Sequence, residues 1–228
     1  MTTDVENFRV RVAREKRERM RSRLLSATMT RYAEQRGAGP TLIDDVIKIA
    51  GVSRGTFYKY FASVEEVLAE LGSQLVEDTI ADMRVMFAGV DDPLQRTASG
   101  IQLMMLHAIV DPVWGGFVVH SPHLVSSSAI WREIEESSVK AARNGDFRFR
   151  VLQAAIDYQI AITFDAVERL LSPIEDRACY MYDMTRMTLV GLGVEFDRAS
   201  EIIRVSQEEI RKRAPTALPW WRDLEMSS

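Results

Sequence analysis

A chain of 228 residues with 46% hydrophobic side chains carries enough apolar material for a real core in one or two domains. It has no run of about 18 apolar residues, which excludes a transmembrane helix, and its charged start, MTTDVENFRVRVAREKRERM, lacks the apolar segment of a signal peptide, so a cytoplasmic protein is expected. The net charge of −4 hides an asymmetry: residues 1–62 hold 13 Lys and Arg against 7 Asp and Glu, a net of +6, while residues 63–228 hold 16 against 26, a net of −10. A basic head on an acidic body points the head at a polyanion, the plainer alternative being a solvated helix face.

The first predicted element is a long basic helix from about 10 to 36, stopped by Gly-Ala-Gly-Pro at 37–40. Its start packs Arg9, Arg11, Arg14, Lys16, Arg17, Arg19, Arg21 and Arg23 against only Glu15 and Glu18. Two readings stay open for this run: an arm that adds phosphate contacts or enters a minor groove, or a solvated helix end.

A short helix follows at about 42–50. Leu42, Val46 and Ile49 recur at i, i+4 and i+7, with Ile43 and Ile47 beside them, and Thr41 stands three positions before Asp44 as a cap. Gly51 then falls where a helix end wants a left-handed residue, Val52 plugs the corner, and Ser53 caps the next helix, about 53–60. In that helix Phe57 and Phe61, four apart, point inward together. Gly55 and Lys59 face the other way, flanked by Arg54, Thr56 and Tyr58. A face with a small residue, a cation and hydroxyls suits a major groove, where hydroxyls and cations hold phosphates and Lys or Arg can donate to guanine edges. Two short helices on a tight turn, the second exposed and polar, make a helix-turn-helix.

Further helices are predicted at about 64–88 behind a Ser63–Glu66 capping box, at 93–109 behind Asp92-Pro93, and at 128–143, 148–171, 174–191 and 197–213. Ser172-Pro173-Ile174-Glu175 is taken as the start of the helix at 174–191. The stretch 111–127, broken by Pro112, Gly115, Gly116 and Pro122, reads as a short helix with irregular flanks, and residues 214–228 either dock on the body or hang loose. No strand pattern is present, so the fold class is all-α. Cys179, alone among apolar neighbours, excludes an internal disulfide and reads as a buried structural thiol.

The run TLIDDVIKIAGVSRGTFYKYFASVEEVLAEL, within residues 20–72, resembles the DNA-binding segment of the TetR family of bacterial transcriptional regulators, and AGVSRGTFYKYF carries most of the likeness. Beyond residue 90 the likeness reduces to length, helix layout and LVGLGVEFDRASEII. Val64 stands where the family often has Lys, and Ile47 where it prefers Ala. The resemblance implies a three-helix helix-turn-helix domain at 21–66 and a helical ligand-binding and dimerisation domain at 67–213; the basic arm at 1–20 is then an N-terminal extension relative to the family, and 214–228 a C-terminal tail. It implies phosphate or backbone contacts from Thr41, Tyr58 and Tyr60, with Arg54, Gly55, Thr56 and Lys59 nearest the bases; Ser53 is counted with them.

For the body, Met104, Met105, His107, Trp114, Phe117, His120, Trp131 and Phe147 offer adaptable and flat surfaces with a few polar groups. They suit an apolar or aromatic effector or, equally simply, an ordinary core. His120 and His123 are three apart, but Pro122 interrupts the turn and no further ligand lies nearby, so neither metal nor cofactor is expected. A homodimer is expected through the apolar faces of 151–171 (Leu152, Ala155, Ile156, Ile160, Phe164, Val167, Leu171) and 174–191 (Ala178, Met181, Met184, Met187, Thr188, Gly191). The expected function is a dimeric repressor on a palindromic double-stranded DNA operator, released when a small-molecule effector moves the helix at 64–88. The alternatives are a DNA-binding regulator controlled by a partner protein, and a helical enzyme using His120 and His123.

Overall fold

A computed structural model describes residues 2–34, 42–121 and 129–222, with the side chains of the first helix described from residue 10 onward. The described residues form helices joined by turns, without strands, and divide into two compact units, Met1–Ser73 and Gln74–Ser228.

The first unit contains α1 (Thr2–Glu34), α2 (Ile43–Ala50), α3 (Arg54–Phe57) and the opening turns of α4 (Val64–Met86). Its core begins only at Leu24. Leu24, Leu25, Ala27 and Thr28 of α1, Val46 and Ala50 of α2, Phe57, Phe61 and then Val64, Val67 and Leu71 of α4 are buried, whereas residues 10–19 are exposed all round. α1 packs on α2, and Arg31 Nε donates to Asp45 Oδ2 at 3.0 Å. Gly51 closes α2 at φ 60°, with its N–H on Lys48 O and the Val52 N–H on Ile47 O, so the turn uses the conformation that only glycine adopts cheaply. α4 starts on the expected capping box: the Glu66 N–H bonds Ser63 Oγ (3.3 Å), and Glu66 Oε2 accepts from the Ala62 N–H (2.6 Å).

The second unit holds the rest of α4, then α5 (Pro93–Val110), α6 (Pro112–His120), α7 (Ala129–Arg143), α8 (Leu152–Leu170), α9 (Arg177–Gly191) and α10 (Phe196–Ala217). α5 is the central rod, packed by α6, α7, α8, α9 and α10. Being covered on most sides, it buries even Ser99 and Gln102. Asp92 and Asp111 cap α5 and α6 through their side chains, each ahead of a proline at the first helical position. α5 and α6 fold back so closely that a Cβ on Gly115 would lie 2.8 Å from Ala108 Cβ and 3.1 Å from Ala108 Cα. Backbone cannot move aside as a flexible side chain can. Gly115→Ala should therefore lower stability by about 1–3 kcal/mol, read as a lower urea midpoint at unchanged slope.

Several boundaries depart from the sequence reading. α3 is a single α-turn, continued by tight turns through Tyr60 rather than by regular helix. α8 starts at Leu152 and not at 148, because Phe147 is buried in the Leu94–Ile203 cluster and the Arg148 N–H is drawn to Leu192 O at 2.7 Å. α9 starts at Arg177 and not at 174: Asp176, rather than Ser172, supplies the cap by accepting from the Cys179 N–H at 2.9 Å. That geometry also corrects the reading of Cys179. The thiol is exposed at the first turn of α9, and its hydrogen bond to Asp176 pushes its pKa up, away from nucleophile chemistry.

Neither helix turns the face chosen for the dimer wholly outward. On α8, Ala155, Ile156 and Val167 are buried, while Ile160 and Phe164 line a cavity. On α9, Met181 and Thr188 are buried. The outward large apolar residues of this region are Val151 just before α8 and, around α9, Met187 (62% exposed), Val190 and Phe196.

Candidate nucleic-acid interface and ligand cavity

The outward face of α3 is built from behind. Phe57 and Phe61 are fully buried, their ring centroids 6.1 Å apart, and anchor the helix in the unit core. Arg21 of α1 lies over the Phe61 ring at 4.3 Å, donates through Nη1 to Tyr60 O (3.2 Å) and forms a two-pronged ion pair with Glu70 of α4, one prong being Nε to Oε1 at 2.9 Å. Glu70 stabilises the charged guanidinium and raises its pKa. The reading of Arg21 as part of a DNA-contacting arm is thereby corrected: it braces the turn after α3. Its spacing within a basic run concealed this role, because Tyr60 and Glu70 lie 39 and 49 residues away.

Ser53 accepts the Thr56 N–H at 3.1 Å, and the two hydroxyls lie 3.0 Å apart, so both residues are committed to the helix start. With Phe57 inside, Arg54, Gly55, Tyr58 and Lys59 are exposed, Tyr58 to 52%, and Thr56 and Tyr60 are half-buried. The Tyr58 ring stands edge-on to Phe57 at 89°, which steers its hydroxyl end away from the core. Arg54 is not idle: Nη2 donates to Asp44 Oδ1 of α2 at 2.6 Å, and this bond raises the pKa of the guanidinium. The bond orients Arg54 along the two helices, while Lys59 stands out as a cation on the same surface. Thr41 falls outside the described residues.

The exposed part of α1 carries two acids, and each pairs along the helix, Arg11 with Glu15 (3.9 Å) and Arg14 with Glu18 (3.7 Å). Lys16, Arg17 and Arg19 stay exposed beside them. Deleting residues 1–18 leaves the core from Leu24 onward intact. If the arm meets DNA, the deletion should flatten the slope of log affinity against log salt by roughly 0.9 for each phosphate that the arm had neutralised. An unchanged slope assigns the run to solvent.

The second unit contains a cavity of about 790 Å³, counting the open space at its mouth. Its walls are apolar: Leu75 and Met83 of α4, Phe87, Ile101 and Met104 of α5, Ile130 and Ile134 of α7, Ile160 and Phe164 of α8. Polar groups are few and mostly committed. Arg96 Nη1 lies 3.6 Å from Glu133 Oε2 while its Nε donates to Val90 O (2.8 Å). Gln159 donates through Nε2 to Ser138 Oγ and Ala155 O, both at 3.0 Å, which leaves its Oε1 as an acceptor for the cavity. Thr79, Thr97 and Ser137 add hydroxyls. The paired Arg96 and Glu133 leave no net charge, so the chamber suits an uncharged apolar body with one or two hydrogen-bonding groups.

A smaller compartment of about 340 Å³ shares Thr79, Met83, Gly100 and Met104 with the first and adds Asp82, His107, Trp114, Leu218 and Trp220. The eight sequence candidates scatter around these volumes. Met104 lines both, and His107 and Trp114 line the smaller. Met105 and Phe117 are fully buried away from either wall, and Phe147 belongs to the Leu94–Ile203 cluster. Trp131 is half-buried off the walls, and His120 sits with Nδ1 2.6 Å from Gly116 O. His123 lies outside the described residues. The sequence reading missed Asp82, Gln159 and the α4 wall, which only an amphipathic pattern marked, and Trp220, which stands in the tail beyond α10. Among the described residues no group of three or more His, Cys, Asp or Glu could hold a metal ion, and no helix is long and apolar enough to cross a membrane.

Residues 24–71 match the family model of bacterial regulatory proteins, tetR family; the match takes in α2, α3, the last part of α1 and the start of α4. No curated protein matches the chain. Among solved structures the chain is similar to RolR in complex with resorcinol, at 24% identity and TM-score 0.60, over 83% of this chain and 95% of that one. It is also similar to an ArpA-like gamma-butyrolactone receptor (15% identity, TM-score 0.63, 86% and 99% covered) and to the hemolysin II transcriptional regulator HlyIIR (18%, 0.54, 70% and 99%). The likenesses to solved structures are likenesses of fold. The match over residues 24–71 thus marks a DNA-binding segment of the tetR-family type, and the solved structures extend the likeness of fold over most of the chain.

Proposed function

We propose that the chain is a dimeric transcriptional repressor that reads a palindromic operator with α3 and is released from it by an apolar or aromatic small molecule in the 790 Å³ cavity. The observation that carries this reading is the two-sided character of α3: Phe57 and Phe61 sealed in the core, Arg54, Gly55, Tyr58 and Lys59 turned outward. Ser53, Thr56 and Tyr60 hold that face in place, and Thr41 would add a phosphate contact at the start of α2.

Two copies are required because a single short helix covers too few bases, and paired readers meet half-sites about one helical turn apart. Met187, Val190 and Phe196, exposed around α9, are the surface on which we place the second copy. Met184 and Gly191 of the expected face adjoin it in sequence.

α4 supplies the path between ligand and DNA. Leu75, Thr79 and Met83 stand on the cavity wall, while Val64, Val67 and Leu71 of the same helix are buried in the first unit with Phe57. A ligand releases DNA only if it binds better when α4 holds the non-binding geometry. RolR with resorcinol and the gamma-butyrolactone receptor are relatives in fold whose names carry small molecules, which favours a small molecule over a partner protein as the signal.

Selection of bound duplexes from a random-sequence pool tests the reading. The expected result is an enriched inverted repeat; a pool that stays random would refute it. On the enriched site Lys59→Ala should cost about 1–3 kcal/mol and relax preference at one position per half-site. A loss equal across all sequences would make Lys59 a phosphate contact instead.

A further inference from the structure

The aromatic stack at the end of the second unit is arranged as a ligand site already in use. His107 of α5 is sandwiched: the Trp114 ring lies on one face (3.8 Å, 17°) and the Trp220 indole on the other (4.0 Å, 5°). The Trp220 Nε1–H donates to Asp82 Oδ2 of α4 at 2.6 Å. Burial raises the pKa of Asp82, so the carboxylate is short of water and gains from that donor. A flat ring gripped by one stacked face and one N–H to carboxylate bond is how a protein recognises a planar N–H heteroaromatic. Here the ring belongs to the protein itself.

The occupant is held by the stack and that hydrogen bond, with buried Leu218 two residues before it. Trp220 is half-buried and follows the end of α10 at Ala217. The backbone there is held by the Leu218 N–H on Ala214 O (3.0 Å) and the Trp221 N–H on Leu218 O (3.1 Å). Trp220 and Leu218 also wall the 340 Å³ compartment that adjoins the larger cavity through Met83 and Met104. A small ring can thus approach His107 from inside the unit.

We propose that the slot formed by His107 and Asp82 is a binding site for small planar heteroaromatics with a ring N–H donor, the indole class, and that Trp220 occupies it in cis until such a ligand displaces it. The exchange is like for like, one stack and one hydrogen bond given up and regained, so ligand concentration decides the outcome. Asp82 makes the site prefer neutral or cationic rings over ring carboxylates, which it repels. The site is independent of the regulator reading; only an effect of indole on operator affinity would rest on it, through Asp82 on α4.

Calorimetric titration of the full-length chain with indole, and with benzofuran as the isostere lacking the N–H, tests the proposal. Trp220→Ala, with its slot vacated, should bind indole at least tenfold more tightly than the wild type does. Benzofuran should bind this variant at least tenfold more weakly than indole, and adding Asp82→Ala should erase the difference. In the wild-type chain, saturating indole should speed chymotryptic cleavage after Trp220 or Trp221. Equal indole affinity with and without Trp220, equal binding of benzofuran, or binding to the wild type without faster cleavage would each overturn the exchange. If Trp220→Ala loses its helical circular dichroism, Trp220→Leu takes its place in the same comparison. No DNA enters these measurements, so their failure and that of the operator reading are separable.

Discussion

Phe57→Ala should open the reading head even though Lys59→Ala, two residues away, should leave it folded. Phe57 is the fully buried side chain of α3, against Phe61 and the α1–α2 core, and α3 itself is a single turn with no stability of its own. Removing the ring forfeits its transfer from water and leaves a cavity that Gly51 and the capped Ser53 turn are too constrained to close. The expected loss is about 3–5 kcal/mol. A unit of 73 residues holds only a few kcal/mol in reserve, so this is most of its stability. Because the chain has two compact units, one global unfolding curve would blend them. Amide hydrogen exchange resolves them: protection across 43–61 should collapse in Phe57→Ala while that of α5 and α10 stays as it is. Retained protection at 43–61 would mean that the head is held by something other than its aromatic plug. Lys59→Ala, at an exposed position, should exchange like the wild type and lose only DNA affinity.

The contrast shows where sequence reasoning reached. AGVSRGTFYKYF is legible because each of its signals is local: a left-handed glycine, a cap three residues from its target, two aromatics four apart. The same holds for Asp92-Pro93 and Asp111-Pro112. It fails where the deciding partner is far along the chain. Arg21 looks like any other arginine of the arm until Glu70 and Tyr60 are beside it. Trp220 reads as a tail residue until Asp82, 138 positions earlier, accepts its N–H. α9 defeats the pattern for a different reason. Apolar, hydroxyl and charged residues are spread around it without a stripe, so neither the exposure of Cys179 nor that of Met187 could be inferred. In α5, Met104 and Met105 are neighbours of identical chemistry, and only the packing of α7 and α8 decides that the first faces the cavity and the second the core.

The stack around His107 should also make stability depend on pH in a defined window. Burial between two tryptophans holds the imidazole pKa down to about 3, against 6.5 when solvated. The unfolded chain therefore takes up a proton below pH 6.5 that the folded chain refuses. The contribution is fully present above 6.5 and is lost progressively as pH falls toward 3. The slope approaches about 1.4 kcal/mol per pH unit, so on the order of 2 kcal/mol should disappear between pH 6.5 and 5. Asp82, which faces the stack through Trp220, acts in the opposite sense. Burial raises its pKa on folding, so it gains protons earlier in the folded chain and offsets part of the His107 loss as pH falls. Urea midpoints at pH 7.5, 6.5, 5.5 and 5.0 should fall below pH 6.5 in the wild type. They should stay level in His107→Phe, whose ring can still lie between Trp114 and Trp220 but has no proton to take. A decline of equal steepness in both proteins would place the titrating group elsewhere and leave the stack without a part in the pH response.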